Sequence, residues 1–96
     1  MKMIFENILP DLNGENLVWL RESAKILSVV CKENKIYLCY EFLADNSAEQ
    51  NERYFTINDN GQNVRGHVYI GTVLRANGTI TSHVYEVLKP VKNIKN

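Results

Sequence analysis

The chain reads as a mainly β protein, an antiparallel sandwich or a small, partly open barrel of about six strands with room for one short helical turn. Three observations carry that reading. Short runs rich in β-branched and aromatic residues recur along the sequence, separated by clusters of Asn, Asp and Gly. Two of those runs are joined by Asn77-Gly78, the dipeptide best suited to a two-residue type I′ turn, whose central residues both need φ > 0. No internal repeat, low-complexity tract or linker divides the 96 residues, so a single domain over 1–96 is expected.

In chain order, Met3 to Leu9 is a mostly apolar run ended by Pro10, which cannot donate to a ladder, so a first strand leaves its sheet there. Asp11-Leu12-Asn13-Gly14 is a turn. Asn16 to Arg21 has two readings: a short strand carrying Trp19, or a helical turn from Glu15 to Lys25 with Leu17, Leu20, Ala24 and Leu27 at helical spacing. Ala24–Cys31 and Ile36–Leu43 form a hairpin around Lys32-Glu33-Asn34-Lys35, with Cys31 opposite Ile36 and Ser28 opposite Cys39. Its second run puts Ile36, Leu38, Tyr40 and Phe42 on one side.

Ala44 to Glu52 has no large apolar residue and reads as a solvated loop with a local acidic bias. Arg53 to Ile57 returns as a strand with Phe55 and Ile57 on one face and Tyr54 and Thr56 on the other. Asn58-Asp59-Asn60-Gly61 turns the chain, and Gln62 to Gly66 leads into the Asn77-Gly78 hairpin. A turn at those two residues sets a register: Ala76 faces Thr79, Leu74 faces Thr81, Thr72 faces His83, Ile70 faces Tyr85 and Val68 faces Val87, while Gly71 meets Val84 on the other face. The end of the chain, 89–96, carries Lys89, Lys92 and Lys95 without an acid and is expected to fray.

Composition narrows the class. Eleven basic and eleven acidic residues cancel, so no overall field draws the protein to nucleic acid or an anionic membrane, and nucleic acid is not an expected partner. No apolar run approaches the roughly 20 residues that span a bilayer, and the first residues carry Glu6 and Asn7 too early for a secretory signal, so a cytoplasmic protein is expected. Cys31 and Cys39 do not face each other in the hairpin register and read as reduced core thiols. A single small core gains from self-association, so a homo-oligomer is expected.

Chemistry-bearing residues are few. His83 is mid-strand beside Thr72, on the face expected to carry Tyr85, where a core histidine satisfied by a hydroxyl and a ligand-contacting histidine are both compatible with the pattern. Catalysis needs an orienting carboxylate and a nucleophile; Glu86 points to the opposite face, so no enzyme is expected. His67, in a loop beside Gly66, reads as exposed, and two histidines without further ligands make no metal site. Gly71 inside a β run signals a bulge, a close backbone approach or an aromatic packed over the gap; its functional form is a shallow groove of Tyr69, Gly71, Ser82 and Val84 that would accept a flat ring. Arg53, Arg65 and Arg75 carry guanidinium forks suited to phosphate. The residues expected to contact a ligand or partner are therefore Arg65, Tyr69, Gly71, Arg75, His83 and Tyr85, with no cofactor implied.

Several strings together resemble a family of small bacteriophage and prophage proteins: Ala24-Lys25-Ile26-Leu27-Ser28-Val29, Ile36-Tyr37-Leu38, Arg53-Tyr54-Phe55-Thr56-Ile57 with Gly61 after it, Tyr69-Ile70-Gly71-Thr72-Val73, and His83-Val84-Tyr85-Glu86. The chain departs from that pattern at Ser82, where an aromatic would stand before the histidine, and in its longer 44–52 loop. The resemblance implies a phage-type accessory protein of the host cytoplasm. Such a protein would antagonise or modulate a host function, defence included, by binding a host protein or by sequestering a small nucleotide-like ligand. The other classes it leaves are a virion-assembly subunit and a small enzyme built on His83 and Tyr85.

Overall fold

Among the described residues of the computed structural model, 1–44 and 49–89, every regular element is a strand. There are seven: β1 (Lys2–Ile8), β2 (Glu15–Arg21), β3 (Lys25–Lys32), β4 (Lys35–Leu43), β5 (Gln50–Asp59), β6 (Val68–Arg75) and β7 (Ile80–Val87). They form two antiparallel sheets, one in the order β1-β4-β3 and the other β2-β5-β7-β6, packed as a sandwich and not closed into a barrel. Among the described residues, no helix is long and apolar enough to cross a membrane.

Residues 15–21 settle as a strand. Asn16, Val18 and Leu20 are buried while Glu15, Leu17 and Trp19 are exposed, a strict two-residue alternation, and the ladder runs from Glu15 opposite Thr56 to Arg21 opposite Gln50. Pairing with β5 outweighs the helical spacing of Leu17, Leu20, Ala24 and Leu27, because tertiary burial overrides a weak local pattern. The same ladder draws Gln50, Asn51 and Glu52 into β5, so the polar loop is shorter than the sequence suggested at that end. Residues 45–48, the middle of that loop, and 90–96, most of the expected frayed tail, lie outside the described residues.

Both hairpins turn where expected. Glu33 and Asn34 take φ of 51° and 65°, and Cys31 lies opposite Ile36 and Ser28 opposite Cys39. Asn77 and Gly78 take φ of 55° and 82°, and the Thr79 N–H donates to the Ala76 carbonyl at 3.1 Å. Thr72 faces His83, Leu74 faces Thr81 and Gly71 faces Val84. Beyond Gly71 the register changes: Tyr69 pairs with Tyr85 and Val68 with Glu86, in place of the expected Ile70–Tyr85 and Val68–Val87 pairs. The cause is a bulge at Ile70, which packs against the core instead of the outer face.

The core is built from the inward faces of both sheets, with Leu38, Phe55, Ile57 and Val84 fully buried at its centre and Leu9 closing it below β1. Two ion pairs bracket it along β5. At one end Arg53 makes a forked pair with Glu86, both bonds 2.7 Å. At the other, Arg75 donates to Asp59 at 2.7 Å and to Ser82 at 3.0 Å, and Ser82 donates to Asp59. Among the described residues, no buried side-chain polar atom lacks a partner.

Candidate interaction surfaces

The outer face of β6 and β7 gathers three of the residues singled out in the sequence. The Ile70 bulge swings Tyr69 onto this face, where its ring meets Tyr85 edge-on at 5.6 Å. Tyr69, Thr72, His83 and Asn60 form a continuous hydrogen-bond chain: Tyr69 Oη to Thr72 Oγ1 at 2.6 Å, Thr72 Oγ1 to His83 Nδ1 at 2.8 Å, and His83 Nε2 to Asn60 Oδ1 at 2.6 Å. An amide oxygen only accepts, so Nε2 carries the proton and Nδ1 accepts from Thr72, which in turn accepts from the Tyr69 phenol. Each group therefore already has its partner. The imidazole lies between a hydroxyl and an amide, and among the described residues it bonds no carboxylate.

The remaining three residues of the set point elsewhere. Arg65 lies against β5: its guanidinium donates to the Asn13 and Ile57 carbonyls and to Asn58 Oδ1, and its own N–H donates to Asn58 Oδ1 at 2.9 Å. This pins the 60–67 segment across the outer side of Thr56 and Asn58, which explains why those polar residues are buried. Arg75 is held by Asp59 and Ser82 inside the sandwich. Gly71 faces inward too, where a Cβ would come within 2.8 Å of Val29 Cγ2. The flat-ring groove is consequently not formed, because Ser82 and Val84 are fully buried and Tyr69 is on the other face. His67 is exposed, and its Nδ1 accepts from the Leu88 N–H at 3.0 Å.

What the sequence passed over is exposed apolar surface. On the outer face of the four-stranded sheet, Leu17, Tyr54 and Val87 stand in register across β2, β5 and β7, and Trp19 flanks them opposite Glu52. Trp19 is 52% exposed and Leu17 46%. Around them Tyr54 donates to Glu52, which holds the phenol above its ordinary pKa, while Lys89 spans the stripe to reach Glu15 at 2.6 Å and lies 3.9 Å from the Tyr54 ring centre. Exposed Glu22 and Glu49 are joined by a backbone hydrogen bond just past Trp19, giving that end of the stripe an acidic border. Arg21, at the same end, lies 4.9 Å from the Phe42 ring centre.

The second apolar surface is β1, exposed at every position. Met3, Phe5 and Asn7 share the face of Phe42, Tyr40 and Leu38, and Lys2, Ile4, Glu6 and Ile8 share the other. Phe5 meets Phe42 edge-on at 5.2 Å and the Tyr40 phenol donates to Asn7 at 2.7 Å, yet Met3 and Phe5 remain 39% and 48% exposed. Burial pushes the Tyr40 pKa up. The sequence did hold a signal for this strand: three consecutive large apolar residues, Met3-Ile4-Phe5, put hydrophobic groups on both faces. Alone, that signal does not distinguish a central strand from an uncovered edge.

These features define a small antiparallel sandwich whose exposed apolar surface includes the Leu17–Trp19 stripe and strand β1. Its family follows from a match over nearly the whole chain: the protein belongs to DUF7352, a domain of unknown function, whose model covers residues 1–95. No curated protein and no solved structure matches it.

Proposed function

We propose that this protein is a non-enzymatic accessory protein of phage type that acts in the host cytoplasm by binding a host protein, and so modulates or antagonises a host function, defence included. The observation that carries this reading is Trp19, half exposed on a regular strand beside Leu17 and Tyr54. Tryptophan and tyrosine supply large contact area at low entropy cost, and residues of this kind dominate binding energy at protein interfaces. The surface is mounted on a hydrogen-bonded sheet, so little ordering is needed on association. Glu22, Glu49 and Glu52 at the Trp19 end favour a partner whose apolar patch has a basic border.

Sequestering a nucleotide-like ligand is the weaker reading, since the guanidinium groups of Arg65 and Arg75, which would recognise phosphate, are committed to internal partners. The His83 environment favours a structural role over acid–base work, because neither a threonine hydroxyl nor an amide exchanges protons readily near neutrality. The test has two arms. Trp19→Ala is expected to abolish capture of a host protein that the wild type retains, with its melting temperature within a few degrees of wild type, while Thr79→Ala, in the turn between β6 and β7, keeps it. A panel of linear and cyclic nucleotides is expected to leave the melting temperature unchanged; a rise with any of them would return the ligand reading to first place.

A further inference from the structure

We propose that β1 is the seam of a two-fold symmetric dimer, in which the Lys2–Ile8 strands of two copies pair antiparallel with Ile4 opposite Ile4 on the axis. The strand is the free edge of its sheet, and its ladder with β4 runs from Lys2 to Ile8 without a bulge. An unbulged, apolar edge is a template for another strand. The edges β3 and β6 each carry a bulge, at Leu27 and Ile70, of the kind that blunts pairing. The fourth edge, β2, has nothing to gain on its inward face, where Val18 and Leu20 are already 2% and 1% exposed. On β1, large side chains stay uncovered on both faces along an unbulged ladder: Met3 and Phe5 are 39% and 48% exposed on one, and Ile4 and Ile8 64% and 40% on the other.

Main-chain geometry selects the register. The Leu9 N–H donates to the Ile36 carbonyl and the Ala44 N–H to the Met1 carbonyl. Because these groups alternate sides along a strand, Met3, Phe5 and Asn7 turn theirs toward β4, and Lys2, Ile4, Glu6 and Ile8 turn theirs to the free edge. A second copy must therefore bring its own Lys2, Ile4, Glu6 and Ile8 opposite these. Centring on Ile4 sets each Lys2 against the second copy's Glu6, Ile4 against Ile4, and Met3 against Phe5 in the closely spaced pair, with about six inter-chain hydrogen bonds.

Other centres pair less well. Centring on Phe5 places Glu6 against Ile4 and Lys2 against Ile8; centring on Glu6 places two carboxylates face to face. The charges on the rest of the sheet agree with the Ile4 register. Lys2 already lies 3.6 Å from Glu41, and Glu6 2.5 Å from Lys32, so the seam continues an alternating row of Glu41, Lys2, the second copy's Glu6 and its Lys32. Met3 beside the second copy's Phe5 adds a sulfur–aromatic contact on the core-side face.

Sedimentation equilibrium tests this. The wild type is expected to dimerise, and Ile4→Lys, which opposes two ammonium groups on the axis, to sediment as a monomer while still unfolding cooperatively. Lys2→Glu alone and Glu6→Lys alone are each expected to weaken self-association by about tenfold, since each opposes like charges twice across the seam. Mixing those two variants re-forms both Lys–Glu contacts between unlike chains and is expected to restore a mixed dimer near wild-type affinity. That recovery depends on the Ile4 register and would not arise from lost stability in either single variant. A wild type that remains monomeric at millimolar concentration, a dimer that survives Ile4→Lys, or a mixture no tighter than its components would each overturn the proposal.

Discussion

At the scale of single residues, Gly71 shows how far a sequence can point to a place without saying what happens there. A glycine within a run of β-branched residues marks a bulge or a close approach, and here both occur side by side: Ile70 bulges, and Val29 of the other sheet comes down on Gly71. The sequence contains no trace of Val29 as the neighbour, because that contact joins two sheets whose pairing no local pattern encodes. The glycine signalled the bulge, but the swap of Ile70 for Tyr69 on the His83 face that the bulge produces was not legible. Gly71→Ala is expected to cost about 1–3 kcal/mol in a urea titration, because the added methyl meets a buried, β-branched side chain that cannot swing aside. The same change in a Val29→Ala background should cost markedly less, giving a coupling energy well above the additivity limit. Equal penalties in the two backgrounds would show that Gly71 is kept for its backbone and not for the space above it.

At the scale of elements, the sequence was most informative where turn chemistry and two-residue alternation agree, as in the β3–β4 and β6–β7 hairpins. It was least informative where a side chain acts across elements. Arg65 is the clearest example: in the sequence it is a loop arginine next to a glycine, a plausible phosphate ligand, and in the fold it fastens the 60–67 segment and the 11–14 turn onto β5. Asn58 and Thr56 lie beneath it, so two polar residues on a central strand are buried with their bonds satisfied. Arg65→Lys keeps the charge but loses the fork that reaches two carbonyls at once. It is expected to destabilise the fold by about 1–3 kcal/mol and to raise hydrogen exchange in the 60–67 segment. A variant as stable as wild type would mean that the segment is held by its backbone bonds alone and that the arginine is free for another task.

For the molecule as a whole, the two sheets share a device that neither hairpin rules nor composition could reveal. In each, a lysine from one side lies over a tyrosine of an interior strand and reaches a glutamate on the edge strand. Lys32 of β3 sits 5.1 Å from the Tyr37 ring centre on β4 and bonds Glu6 on β1; Lys89, just after β7, sits over Tyr54 on β5 and bonds Glu15 on β2. The hydrogen bonds to Glu6 and Glu15 raise both lysines above their ordinary 10.5, and Tyr54 and Tyr40 are raised above 10.0, the first by its bond to Glu52 and the second by burial. All four shifts act in one direction. Each group holds its proton more tightly folded than unfolded, so its contribution is complete below the unfolded pKa and drains away as pH climbs through the folded one. Stability is therefore expected to fall from about pH 10 upward, with the outer strands β1 and β2 loosening first, because the ties that fail are the ones crossing to them. Tyr40→Phe separates the contributions: it loses the bond to Asn7 and so melts lower at pH 8, but it removes the buried phenol that must ionise on alkaline unfolding. Its melting temperature should consequently decline less steeply than that of the wild type between about pH 9.5 and 11. Parallel declines would place the alkaline sensitivity in Tyr54 and the two lysine–glutamate ties, and Lys32→Gln and Lys89→Gln would then each flatten the profile instead.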